Sequence, residues 1–161
     1  FLGTVYREIR QSLVDMREMF ELMDTPPEVQ DAAGAHPLQV TEGRVRFRNV
    51  DFGYGPERQV LHGVDFDVAG GGKLAIVGSS GAGKSTIARL IFRFYDVTGG
   101  AVEIDGQDVR DVTQESLRAR LGVVPQDTVL FNDTIGYNIA YGRADATRDE
   151  IEAAARAAAM L

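Results

Sequence analysis

Between positions 78 and 85 the chain reads Gly78-Ser79-Ser80-Gly81-Ala82-Gly83-Lys84-Ser85, which places glycines, one ammonium and one hydroxyl at the spacing G-x-x-x-x-G-K-[ST]. Residues of these types in this order handle phosphate. Where Cβ atoms are missing the backbone can curl until successive N–H groups point at an anion, and a helix that follows adds the positive end of its dipole. Lys84 then reaches the β- and γ-phosphates as a point charge and acts in catalysis. The Ser85 hydroxyl ligates the magnesium that bridges those phosphates, and Thr86 adds a hydroxyl near the α-phosphate. A glycine turn that only joins two elements explains neither the lysine nor the hydroxyl at those offsets, so a site for a nucleoside triphosphate is expected.

The elements around the loop must hold it in place. Lys73 to Val77 is a short apolar run expected to be a strand that feeds the loop, and Ile87 to Phe94 repeats apolar residues at helical spacing. Upstream, Val45, Phe47, Val50 and Phe52 nearly alternate, Val60 to Val68 gives a second β-like run, and Gly70-Gly71-Gly72 follows as a turn, so two antiparallel strands are expected. Downstream, Val102 and Ile104 precede the turn dipeptide Asp105-Gly106. Thr113 to Arg120 reads as a helix, and Leu121 to Val124 reads as a buried strand ended by Pro125. Thr147 with Glu150 forms a capping box for a helix that runs to Leu161. The fold class is α/β.

The first segment is different. Leu2, Val5, Ile9, Leu13, Met16, Phe20 and Met23 recur at steps of three or four, the signature of one long amphipathic helix, which Pro26 and Pro27 stop. The polar, proline-containing stretch to Glu42 reads as a linker. The expected division is therefore 1–24 helix, 25–42 linker and 43–161 phosphate-binding domain. The alanine-rich helical pattern ends at Leu161 without a stop signal, and the chain is expected to be a fragment. No stretch reaches the ~20 apolar residues that span a bilayer. With 17 basic against 24 acidic residues the formal charge is -7, which speaks against a nonspecific grip on nucleic acid. The absence of cysteine excludes disulfides and thiolate metal sites.

Together with the loop, Phe52-Gly53-Tyr54, Phe92-Arg93-Phe94-Tyr95-Asp96, Ile104-Asp105-Gly106 and Val124-Pro125-Gln126-Asp127 resemble, in order and spacing, the nucleotide-binding domain of ATP-binding cassette (ABC) transporters of the exporter type. The resemblance implies a P-loop NTPase core with an antiparallel β subdomain, cut short at its C-terminal side. It implies that Gly78 through Thr86 bind ATP with magnesium and that Tyr54 stacks on adenine. It also implies that Gln126 touches magnesium and the attacking water and relays nucleotide state. Residues 1–24 look like the cytosolic end of a last transmembrane helix. Tyr6-Arg7-Glu8, Met19-Phe20, Thr98-Gly99-Gly100 and the run Val129 to Ile135 look most like the mitochondrial and bacterial heavy-metal or iron-sulfur exporters, whose cargo is glutathione- or metal-related. Implied partners are the transmembrane domain of the same chain and a second copy of the half-transporter, with no nucleic acid. The implied location is a membrane, with this portion on the cytosolic or matrix side. Ser79 departs from the proline common in the family, but serine removes no backbone donor.

The same resemblance marks what is missing: a serine-glycine-glycine signature, an apolar strand ending in aspartate-glutamate, and a switch histidine. Ala101-Val102-Glu103-Ile104-Asp105 puts its charge in mid-strand before a hairpin turn and reads as a solvated face, not a catalytic carboxylate. These residues alone are therefore expected to bind ATP without efficient hydrolysis, which needs the complete dimeric protein. A soluble P-loop nucleotide kinase and a non-transporter ABC ATPase are the alternatives. Tyr54 and Val124-Pro125-Gln126 argue against the kinase, the amphipathic first helix and acidic balance against the other. A GTPase lacks support because no N-K-x-D motif is present.

Overall fold

In a computed structural model of the chain, residues 2–24, 26–55, 57–125, 129–143 and 145–158 are described. Two compact units divide the chain at Leu121. The first holds α1 (Leu2–Met23), β1 (Val45–Gly53), β2 (Gln59–Val68), α2 (Lys84–Ile91), β3 (Gly99–Ile104), β4 (Gln107–Asp108) and α3 (Gln114–Arg118), and the second holds α4 (Ile135–Ala140) and α5 (Arg148–Ala157).

The four strands form one antiparallel sheet in the order β2-β1-β3-β4. Period-two patterning sends Phe47, Phe52, Leu61, Val102 and Ile104 to one core, where Ile87 and Leu90 of α2 and Leu117 of α3 join them. Phe47 and Phe66 stack across the β1–β2 pair with centroids 4.5 Å apart. The break in alternation between Phe47 and Val50 is a bulge at Asn49, whose φ is 47°. Beside it Gly100 has φ 72°, and a Cβ there would collide with the carbonyl oxygens of Arg48 and Asn49, so only glycine lets β3 approach the bulge. The expected turn at Asp105-Gly106 joins β3 to β4 with φ 49° and 77°.

Two expected strands are not formed. Lys73 to Val77 and Leu121 to Val124 are apolar but carry no ladder, with Val77 88% and Val124 96% exposed. A strand exists through its hydrogen-bonded neighbour, and no described segment pairs with either run. Apolar periodicity alone cannot reveal that. The expected helix at 113–120 is the shorter α3, with Thr113 as its N-cap residue. The capping box at Thr147 and Glu150 is present on α5.

Helix α1 forms as its spacing predicts, but Ile9, Leu13, Met16, Phe20 and Met23 on its apolar stripe are all exposed. Residues 30–44 adopt neither helix nor strand beyond a single bridge at His36, yet side chains of the sheet unit hold them. Asp31 accepts from the Gln114 N–H at 3.1 Å, and Gln30 O accepts from Arg93 Nη2 at 3.0 Å. Ser116 Oγ accepts from the Leu38 N–H at 2.8 Å, and Leu38 is buried. Arg93, 2% exposed, also donates to Asp96 Oδ1 at 3.0 Å and to Val112 O at 3.1 Å, so its buried charge is paired and its donors are used. Asp105, in the hairpin turn, accepts the N–H groups of Thr41, Glu42, Gly43 and Arg44. Those amides hold its carboxyl well below the usual carboxylate range, with the bond from Gly43 the largest cause.

Candidate functional site

The glycine-rich loop lies between the extended segment after β2 and the first turn of α2. Gly81 and Gly83 take φ 82° and 87°, the left-handed region that glycine enters without cost from a side chain. Gly83 is the N-cap residue of α2 and supplies no side-chain cap, so the first-turn donors of the helix face outward from its start at Lys84. Gly83 is also pressed on β2: a Cβ would stand 2.7 Å from Leu61 Cδ2 and 3.3 Å from Val60 Cγ1. This close approach anchors the loop to the sheet.

Within the loop the Ala82 N–H donates to Ser79 O at 3.3 Å, while the N–H groups of Gly78, Ser79, Ser80, Gly81 and Gly83 have no protein acceptor among the described residues. Residues 78–82 are exposed. Lys84 folds back over the loop, its Nζ donating to Gly78 O at 2.8 Å and Ser79 O at 2.6 Å. The loop thus combines amides without protein acceptors, an ammonium and the positive end of α2, groups that attract an anion. Ser85 is exposed one residue into the helix, which leaves its hydroxyl accessible beside the loop. Thr86 is buried instead, and its Oγ1 lies 3.2 Å from the Tyr54 hydroxyl.

Tyr54 follows the end of β1, and the link to Thr86 brings it to the helix that starts at the loop. Its ring meets Phe52 (centroids 5.0 Å apart, 84°) and Tyr95 (5.2 Å, 88°) in T-shaped contacts. It borders two open clefts, of about 540 and 470 Å³, the first shared with Asp51, Gln59 and Thr98 and the second with Arg58. Burial pushes the phenol up, but hydrogen bonds with Thr86 and Arg89 and the charges of Arg89 and Arg58 outweigh it and leave the group below its ordinary value. Arg89, which sequence reasoning did not single out, contacts the candidate site residue Tyr54: its Nη1 donates to the Tyr54 hydroxyl at 2.9 Å. Its i, i+3 spacing from Thr86 on one helix face was the available signal.

Gln126, expected from the resemblance to act at magnesium and water, lies outside the described residues, as does Asp127. Glu103, in the carboxylate run judged to be a solvated face, pairs with Arg48 at 3.1 Å. Among the described residues no group of three or more histidine, cysteine, aspartate or glutamate side chains could hold a metal ion.

A family model described as ABC transporter matches residues 61–161. The chain is similar to an ATM1-type heavy metal exporter of Novosphingobium aromaticivorans, 63% identical over 99% of this chain and 26% of that protein. It is similar also to the mitochondrial iron-sulfur clusters transporter atm1 of Aspergillus fumigatus, 57% identical over 98% of this chain and 22% of that protein. Human ATP-binding cassette sub-family B member 6 is 56% identical over 99% of this chain and 19% of its own length. Among solved structures, a bacterial Atm1-family ABC exporter with ATP bound superposes with a TM-score of 0.91 at 63% identity, covering 99% of this chain and 28% of that one. The chain thus spans between 19% and 28% of the length of these relatives.

Proposed function

From a chain that belongs to the ABC transporter family, we propose that its glycine-rich loop binds ATP with magnesium as part of the motor of an exporter. The observation that carries this reading is the run of acceptor-free amides at Gly78 to Gly81 and Gly83, with Lys84 at the start of α2 folded onto the carbonyls of Gly78 and Ser79. Lys84 exchanges its two carbonyl partners for phosphate oxygens. Magnesium fits the oxygen chemistry of the exposed Ser85 hydroxyl, which would hold it together with the phosphate oxygens. When bound, magnesium neutralises the charge that develops on the phosphates. Gln126 joins Ser85 at the metal and orients water, and Tyr54 stacks on adenine.

Hydrolysis belongs to the complete protein, which we read as a homodimer of half-transporters whose motors face each other. Residues 1–24 continue the last membrane helix, 25–42 form the linker, and 43–161 form the first part of the nucleotide-binding domain. Among the described residues no helix is long and apolar enough to cross a membrane; likeness to membrane exporters supports a transmembrane domain elsewhere in the same protein. This portion sits on the cytosolic or matrix side. Similarity to exporters named for heavy metals and iron-sulfur clusters supports a metal- or glutathione-related cargo.

The test is calorimetry on the intact protein. Tyr54→Ala weakens magnesium-ATP by about 1–3 kcal/mol, the range of base–aromatic stacking, and leaves magnesium-pyrophosphate unchanged. Equal loss for both ligands would remove the stacking role. For Gln126 the measurement is turnover: a Gln126→Ala protein that hydrolyses ATP and transports like its parent defeats that assignment.

A further inference from the structure

Arg89 is exposed on α2, one turn beyond the phosphate loop, yet its guanidinium is committed to Tyr54. A guanidinium only donates, so the Tyr54 oxygen accepts at 2.9 Å. The phenol's own proton then has the Thr86 oxygen at 3.2 Å as its partner. Two residues of one helix face therefore hold the hydroxyl from both sides, and that helix begins at the loop's own lysine.

The position of the guanidinium decides what this does. Its central carbon is 5.9 Å from the Tyr54 centroid while one of its nitrogens bonds the hydroxyl, which puts it off the hydroxyl end of the ring and not above its centre. Tyr54 itself remains 39% exposed. Phe52 and Tyr95 contact the ring in perpendicular arrangements, and Tyr54 still borders both clefts. The net lowering of the phenol agrees with donation into its oxygen.

We infer, on the reading of Tyr54 as the base platform, that Arg89 is a positioning residue of the nucleotide site: it fixes the platform to α2 and so presets its placement relative to the phosphate loop. Immobilising an aromatic side chain on binding weakens affinity, and a ring already held escapes that loss. Pyrophosphate, which has no base, is indifferent to the ring.

The experiment compares magnesium-ATP with magnesium-pyrophosphate in calorimetry of the intact protein. Arg89→Ala weakens ATP about three- to tenfold and leaves pyrophosphate at the parental value. Tyr54→Phe, which keeps the ring and loses the hydroxyl, gives the same loss, and combining the two adds nothing further. Arg89→Lys, still a donor, recovers most of the affinity. Parental ATP affinity in Arg89→Ala, equal loss for both ligands, or additive effects in the double variant overturns the proposal. If Tyr54→Ala shows a selective loss while Arg89→Ala and Tyr54→Phe bind like the parent, the platform stands and only the role of Arg89 falls. If Tyr54→Ala itself binds ATP like the parent, the platform falls, and the role of Arg89 with it.

Discussion

The ammonium of Lys84 lies 2.6 Å from the carbonyl oxygen of Ser79, and it bonds Gly78 O as well. The loop's cation thus rests on the loop's own acceptors, so phosphate binding exchanges two carbonyl bonds for bonds to an anion. The carbonyl partners are neutral whereas a phosphate oxygen carries the opposite charge, so Coulomb attraction is added and the exchange favours phosphate. We predict that Lys84→Ala weakens magnesium-ATP on the order of a hundredfold and weakens magnesium-pyrophosphate equally, because both depend on the same cation. Calorimetry with the two ligands checks this, and selective loss of ATP alone would place Lys84 at the base instead.

Gly83 tests how far the loop depends on its seat. Alanine there combines a φ of 87° with a Cβ only 2.7 Å from Leu61 Cδ2. Strain and overpacking together destabilise the domain by about 1–3 kcal/mol. The urea midpoint should fall accordingly, and pyrophosphate affinity with it, because relief of the clash lifts the loop away from β2. Gly81→Ala is the control: the same region of φ is strained there, but no atom lies within 4 Å of the added Cβ, so its loss of stability is smaller.

The glycine-rich loop and its place before α2 were legible in the sequence because the motif is written in contiguous residues. The strands β1 and β2, the turn at Asp105-Gly106 and the cap of α5 were legible for the same reason: period, turn chemistry and caps act over a few positions. What depends on distant partners was not. Lys73 to Val77 and Leu121 to Val124 have strand composition but no ladder, since pairing is supplied by other segments. The attachment of residues 30–44 depends on Arg93, Gln114, Ser116 and Asp105, which stand about 60 to 80 positions away in the chain, and a polar proline-containing stretch shows none of it. Arg89 escaped notice because its partner is 35 residues upstream.

Asp105 makes that attachment sensitive to pH. Its carboxylate accepts four consecutive N–H groups, from Thr41 to Arg44, at 2.7 to 3.0 Å. Its folded pKa is depressed, so its contribution is complete above the ordinary carboxylate value and is lost as pH falls below about 4. We expect Asp105→Asn to lower the urea midpoint at pH 7 and to flatten the decline of that midpoint in acid. A variant with the parental acid profile would show that other carboxylates govern the decline.

Helix α5 offers a second titration, in the unit that starts at Gly122, where the effect can be read from one side chain. The Glu150 carboxylate accepts the Thr147 N–H at 2.8 Å and the Thr147 hydroxyl at 2.9 Å, and it pairs with Arg143. The backbone bond from Thr147 is the largest cause, followed by Arg143, and together they lower the pKa from 4.5 to about 2. Because the folded value lies beneath the unfolded one, the carboxylate's support of α5 is complete above pH 4.5 and disappears as pH falls through about 2. NMR titration of the Glu150 carboxyl carbon should therefore show a midpoint near 2, rising toward the free value in Arg143→Ala as one partner is removed. Thr147→Ala, which takes away the hydroxyl but keeps the backbone donor, should raise it less than removal of both. Loss of the Thr147 cap should also fray the first turn of α5 at a cost of about 1 kcal/mol, read as faster amide exchange at Asp149 and Glu150. A Glu150 midpoint at the free value in the parent would mean that the box does not hold in solution, and α5 would then depend on its packing alone.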